Sequence, residues 1–197
     1  MDRQLRPATP ADAAAIRDIY APFVESTAVT FEVEPPTVDE TADRIESTLE
    51  RYPWLVCEAA GDVVGYAAAS RLRSKGAYQW TVELSVYVAE GSRQSGVGTA
   101  LYESLFALLA RQGFCDAYAA TTLPNPATEA LHERTGFEPV GTFPAVGYKG
   151  GEWRDVRWWH RQLRERPADP DPPTPLPDLN DDAVDAALDV GRSSLDD

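Results

Sequence analysis

The sequence has only two lysines, Lys75 and Lys149, against 32 acidic residues, and its 18 lysines and arginines leave a net charge of −14 over 197 residues. A chain this acidic lacks the basic face that nonspecific nucleic-acid binding requires. An anionic membrane surface repels it as well, so neither nucleic acid nor membrane is an expected partner. No apolar run approaches the roughly 18 residues of a membrane span. Met1 to Pro10 hold no apolar signal-peptide core. The two cysteines, Cys57 and Cys115, sit in apolar, strand-like stretches and give no disulfide framework. No metal site is expected, and a cytoplasmic location is.

The hydrophobic share of 43% and charged share of 25% are those of a globular chain. The charge is unevenly placed. Residues 165–197 carry ten acids against Arg166 and Arg192, a local charge of −8 that leaves −6 for the rest, and six of the 16 prolines fall between Pro167 and Pro177. Such a stretch buries too little apolar surface to offset its ordering entropy. Residues 1–164 are therefore expected to form one folded domain, and residues 165–197 a disordered acidic tail. Ala183, Val184, Ala187 and Leu188 recur at helical spacing and predict a weak helix over Asp181 to Val190. The acid-rich, lysine-poor composition fits a halophilic host, where salt screens the repulsion among acids. A GC-rich genome accounts for arginine over lysine but not for the excess acid.

Along the body, Leu5 to Ala8 reads as a first strand. Thr9 as N-cap and Pro10 at the first position open a helix with Ala15, Ile16, Ile19 and Tyr20 inward. A loop is expected from Pro22 to Pro36, then a second amphipathic helix from Val38 to Arg51. Trp54 to Ala59 and Val63 to Ala69 read as strands turning at Gly61-Asp62. Glu83 to Val88 is another strand, and Thr99 to Arg111 a helix ended by Gly113. Phe114 to Thr121 is a strand and Asn125 to Arg134 a short helix; two strands flank Gly150-Gly151 between Tyr148 and Leu163. Strands alternate with helices, but hairpins intervene. The pattern predicts an α/β (α+β) fold with a mixed central sheet and helices on both faces.

The most specific local feature is Arg93-Gln94-Ser95-Gly96-Val97-Gly98-Thr99-Ala100, between a strong strand and a strong helix. Glycines there let backbone N–H groups turn inward, and the helix N-terminus adds partial positive charge, so the segment suits a phosphate or pyrophosphate. Arg93 adds a charge. A Rossmann fingerprint would need glycine at Leu101, and a P-loop would need Gly-Lys-Ser/Thr; neither is present.

Arg-x-x-Gly-x-Gly after a Val86-Tyr87-Val88 strand resembles the acetyl-CoA loop of the GNAT N-acetyltransferase superfamily. The segment Asn125-Pro126 through His132 to Gly136-Phe137 is similar to that family's closing motif. Arg51-Tyr52-Pro53-Trp54, Ala77-Tyr78-Gln79-Trp80-Thr81-Val82-Glu83, Leu123-Pro124-Asn125 and Gly147-Tyr148-Lys149-Gly150-Gly151-Glu152-Trp153 resemble the phosphinothricin acetyltransferases, which also acetylate methionine sulfoximine and methionine sulfone. The resemblance runs from about Leu5 to Leu163.

The resemblance implies a GNAT fold with its sheet splayed at the acetyl-CoA site, direct acetyl transfer to a primary amine, and a homodimer. It assigns residues 93–99 to the coenzyme A pyrophosphate. Val86, Tyr87 and Val88, together with Asn125, fall to the pantetheine arm. Glu83 matches the family's proposed base. His132 stands where many relatives have a tyrosine that serves the thiolate leaving group. Arg73 and Lys75, with Phe31 and Tyr78, are the expected acceptor contacts for an anionic amino-acid-like substrate. A polyamine acceptor is disfavoured by those cations. A protein N-terminus, or an acetyl-CoA sensor without catalysis, are the alternatives; a sensor has no use for the base Glu83.

Overall fold

The structure, a computed structural model, describes residues 3–195. In chain order it contains β1 (Arg3–Pro7), α1 (Ala13–Ser26), α2 (Val38–Leu49), β2 (Trp54–Ala59), β3 (Asp62–Arg71), β4 (Thr81–Val88), α3 (Val97–Gln112), β5 (Asp116–Thr122), α4 (Pro126–Arg134), β6 (Glu138–Lys149), β7 (Glu152–Gln162) and α5 (Asp181–Arg192). The strands form one seven-stranded sheet in the order β1-β2-β3-β4-β5-β7-β6. All neighbours are antiparallel except β4 and β5, which run parallel.

Residue alternation explains why the central strands read as continuous apolar runs. Trp54 and Val56 of β2, with Tyr66 and Ala68 of β3, face α1 and α2 in a core with Ile16, Ile19, Val24 and Ile45. Leu55 and Cys57, with Ala67 and Ala69, point the other way, into a core with Leu101, Leu105 and Leu108 of α3. A strand covered on both faces has no solvent side to mark it. Each buried leucine of α3 contributes roughly 1.5–3 kcal/mol. Cys57 and Cys115 are free and buried, as their apolar contexts implied.

Three expectations are corrected. Helix α1 runs through Pro22 to Ser26 instead of stopping at Pro22. An interior proline costs ~3 kcal/mol, but Val24 is 1% exposed and Phe23 packs edge-on against Tyr87, which offsets that cost. Strand β6 starts at Glu138, ten residues before Tyr148. Its Pro139, Gly141, Pro144 and Gly147 are poor strand formers, yet β6 is the sheet edge and is bulged between Pro139 and Gly141 and between Phe143 and Gly147. An edge strand tolerates both residue types there.

The third correction is the tail. Its proline-rich part is tied to the body: the Arg166 guanidinium binds Asp116, Trp80 Nε1 donates to the Asp171 carbonyl at 2.8 Å, and Gln112 Nε2 donates to the carbonyls of Arg51 and Thr174. Helix α5 then packs on α3 with Ala187 and Leu188 buried. Asn180 caps it by accepting from the Ala183 N–H at 2.8 Å, and Asp181 and Asp182 in its first turn suit the helix dipole. Asp181, Asp182, Asp185 and Asp189 of α5 are exposed, while a stripe of small apolar residues meets α3 and supplies the apolar burial.

Candidate active site

The cleft arises where β4 and β5 part. Their parallel pairing covers only Thr81, Val82 and Glu83 against Asp116, Ala117 and Tyr118. Beyond that point β4 still pairs with β3 as far as Val88, and β5 pairs with β7 as far as Thr122. The β5-facing edge of β4 from Leu84 to Val88 is therefore open, with its backbone groups available to an extended ligand. Val86 and Val88 pack toward α3, and Tyr87 packs toward α1.

At the far end of that edge the loop turns into α3. Gly96 is the N-cap residue, in left-handed conformation at φ 85°, and no side chain caps the helix. The first N–H groups, at Val97, Gly98 and Thr99, thus lack intrahelical partners. Gln94 also has a positive φ, 59°, an unfavourable state for a non-glycine residue of the kind found at ligand-binding turns. Ser95 Oγ donates to the Ser92 carbonyl at 2.6 Å. Backbone donors plus the helix terminus give this turn the chemistry that suits an anion. A Cβ on Gly98 would come within 3.2 Å of Leu131 on α4, so glycine here sets the spacing of α3 and α4. The charge expected from Arg93 is directed elsewhere: its guanidinium lies 5.0 Å over the Phe23 ring of α1. Asn125 caps α4 by accepting from the Thr128 N–H at 3.3 Å, which leaves its amide N–H₂ free to donate.

Glu83 is half-buried at the last paired position of β4. Burial raises its pKa above the usual carboxylate value, and nearby Arg73 pulls it partly back. Arg73 itself sits 5.8 Å from the Trp158 ring. Tyr78 and Phe31 are 44% and 39% exposed, and Lys75 is exposed at the start of the Gly76–Tyr78 turn. The Phe31 ring is pressed on Gly147, where any Cβ would overlap it.

Lys149 fastens this region. Its Nζ donates to the carbonyls of Thr30 and Glu32 at 2.8 and 2.7 Å, strapping the α1–α2 loop to β6. A cavity of about 310 Å³ opens beside it, lined by Tyr20, Trp54, Tyr66, Tyr87, Arg44 and Ser70 among others. Ser70 is paired opposite Glu83. The expected acceptor residues Phe31, Arg73, Lys75 and Tyr78 are not in its wall. The cavity lies between α1, α2 and the sheet, where residues far apart in sequence meet.

His132 departs from expectation. It is 1% exposed, with Nε2 3.2 Å from the Tyr102 hydroxyl and Nδ1 3.2 Å from Thr121 Oγ1. Burial lowers its pKa to about 4, so the ring is neutral and fully partnered at neutral pH. Its ring packs among Tyr102, Phe137 and Trp159, as a core side chain does. His160, the other histidine, bonds Asp116 at 2.7 Å.

Among the described residues no helix is long and apolar enough to cross a membrane, and no group of acids, histidines and cysteines is arranged to hold a metal.

Comparison with known proteins gives the class. Residues 5–158 match the acetyltransferase (GNAT) domain family. The phosphinothricin N-acetyltransferase of Streptomyces viridochromogenes is 43% identical over 173 residues, which is 88% of this chain and 94% of that protein. The L-methionine sulfoximine/L-methionine sulfone acetyltransferase of Pseudomonas paraeruginosa is 34% identical over 83% of this chain and 96% of its own length. The crystal structure of a GNAT superfamily phosphinothricin acetyltransferase from Sinorhizobium meliloti in complex with AcCoA superposes with a TM-score of 0.82, at 36% identity, covering 87% of this chain and 94% of that one. The chain belongs to the GNAT acetyltransferase family. It is an acetyl-CoA-dependent N-acetyltransferase, in keeping with an open strand edge that leads to an uncapped helix N-terminus.

Proposed function

We propose that the protein transfers the acetyl group of acetyl-CoA to the primary amine of a small amino-acid-like acceptor of the phosphinothricin, methionine sulfoximine or methionine sulfone type, by direct attack in a ternary complex. The observation that carries this reading is Glu83, a half-buried carboxylate of raised pKa at the residue where β4 and β5 part. Two similar proteins named for those acceptors support the acceptor class.

In this reading the N–H groups of residues 94–99 take the diphosphate, the edge from Val86 to Val88 pairs with the pantetheine arm, and the Asn125 amide donates to it. The acceptor arrives as an ammonium ion, which has no lone pair for attack. Glu83 removes its proton, directly or through a water, and its raised pKa makes it the stronger base. The amine nitrogen then forms a bond to the thioester carbonyl carbon, the carbon–sulfur bond breaks, and the second proton shed by that nitrogen passes through solvent to the coenzyme A thiolate, which leaves as the thiol. Arg73 and Lys75 pair with the acceptor's anionic groups, while Phe31 and Tyr78 supply apolar contact.

Further features fit a homodimer in a salt-rich cytoplasm. Strand β6 is an edge, and Val140, Phe143, Val146 and Tyr148 on it are at least half exposed, with Trp153 of β7, an apolar surface suited to a second copy. Acetyl-CoA is made inside cells. The −14 charge suits high salt.

The test is acetyl-CoA consumption measured with phosphinothricin, methionine sulfoximine, methionine sulfone, ordinary amino acids and a polyamine in parallel. Turnover on one or more of the first three above the rest is expected. Turnover on the polyamine alone, or on none of these acceptors, overturns the acceptor assignment.

A further inference from the structure

Helix α5 reaches the loop that opens α3, although the family match ends at residue 158 and acetyl transfer assigns the helix no part. Gly191 lies against α3 so closely that a Cβ would overlap the Ala100 carbonyl and crowd Ser104 Oγ. Ser104 Oγ donates to the Leu188 carbonyl at 3.1 Å, one turn away. Past the helix end, Ser194 Oγ is hydrogen-bonded to Glu103. The Ser194 carbonyl lies behind Gly96, where a Cβ would come within 3.1 Å of it. The first strand joins in: Arg192 Nη2 donates to the Leu5 carbonyl at 3.2 Å, and Arg3 Nη1 donates to the Ser95 carbonyl at 2.5 Å. The loop is thus held between α4, which meets Gly98, and the end of α5, which meets Gly96. Its positive φ values at Gln94 and Gly96 are conformations that persist where the surroundings over-determine them.

We propose that residues 188–195 buttress the acetyl-CoA loop, holding Gly96 in its left-handed conformation and thereby setting the affinity for acetyl-CoA, while taking no part in acetyl transfer. The proposal rests on the assignment of residues 94–99 to the cofactor. A site that is competent only a fraction of the time binds more weakly by that fraction. If release of α5 leaves the loop correctly formed a tenth to a third of the time, the dissociation constant rises about 3–10-fold.

The experiment uses the full-length chain with Gly191→Val, whose side chain overlaps the Ala100 carbonyl, and Glu103→Ala, which removes the Ser194 anchor along with a charge near Arg161. Titration calorimetry with acetyl-CoA gives affinity, hydrogen exchange over residues 93–99 and 181–192 gives local order, and turnover at saturating acetyl-CoA gives kcat. For Gly191→Val the expected result is faster exchange in both segments, affinity weakened about 3–10-fold and kcat within about twofold of wild type. Glu103→Ala is expected to move affinity the same way by about twofold, and it decides alone if the Gly191→Val chain does not fold. Unchanged affinity in a variant whose α5 exchanges faster overturns the buttress, as does a fall in kcat with affinity unchanged. Gly98→Asp separates the two levels of the argument. If it leaves acetyl-CoA affinity intact, the loop is not the diphosphate site and the proposal falls with that assignment. If it abolishes binding while released α5 changes nothing, only the buttress falls.

Discussion

Replacing His132 with glutamine tests whether the buried imidazole belongs to the core or to the chemistry. In the folded chain burial takes its pKa from 6.5 to about 4. At 1.36 kcal/mol per pKa unit, the difference corresponds to at most about 3 kcal/mol. The sign follows from which form the fold prefers. The folded state holds the neutral ring, whereas the unfolded chain takes up a proton below pH 6.5. The stabilisation is therefore complete above pH 6.5, is lost progressively as pH falls toward 4, and does not change further below that. Glutamine does not titrate, so the advantage of wild type over His132→Gln should shrink by up to about 3 kcal/mol between pH 7.5 and 4. Above pH 7 that advantage should be about 1–3 kcal/mol, because one amide cannot serve both the Tyr102 and Thr121 hydroxyls in the ring's geometry. Urea unfolding of both chains across this pH range measures it directly. A difference that stays constant with pH would refute the buried neutral histidine. A loss of kcat beyond about 100-fold, with the fold intact, would restore the ring to the reaction.

Glu83→Gln should lower kcat by about 10²–10⁴-fold at neutral pH, with the deficit narrowing at high pH where free amine is abundant. Because the folded carboxyl titrates above its ordinary value, it stabilises the fold only at acid pH and stops doing so as pH rises through its raised pKa; a thermal melt of Glu83→Gln at pH 7.5 should fall no lower than wild type. Arg73→Gln removes the cation that holds Glu83 down, so the acid limb of the kcat/KM profile should move to higher pH; a limb that stays in place would separate the two residues. Lys149→Met frees the Thr30 and Glu32 carbonyls and should raise the acceptor KM by about 3–10-fold while the acetyl-CoA KM is unchanged in steady-state assays.

What the sequence revealed, and what it hid, divides by the range of the interaction. Local signals carried the strands around Val56 and Val86, the terminating Gly113 and the stripe of leucines in α3, because period and turn chemistry are written over a few residues. Long-range packing was hidden. Val24 and Phe23 carry α1 past Pro22 through contacts with the sheet. The edge position of β6, which lets it hold proline and glycine, depends on strand order. Gly191 marks the approach of α5 to α3, but a glycine near an acidic chain end has no local signature of its partner, Ala100. The site divides in the same way. The Gly96 loop and Glu83 were visible as motifs, whereas the turning of Arg93 onto Phe23 and the enclosure of His132 follow from neighbours distant in sequence.

The burial of both sulfurs bears on how turnover is measured. Cys57 is fully enclosed, with its thiol pushed up to about 11, and Cys115 is raised as well. The reactive species toward an aromatic disulfide reagent is the thiolate, which neither side chain supplies to solvent near neutral pH. Each acetyl transfer releases one coenzyme A thiol, free and exposed. A chromogenic disulfide added to the native enzyme therefore counts product continuously against almost no protein background, and a sudden rise in colour without acceptor reports unfolding instead of catalysis.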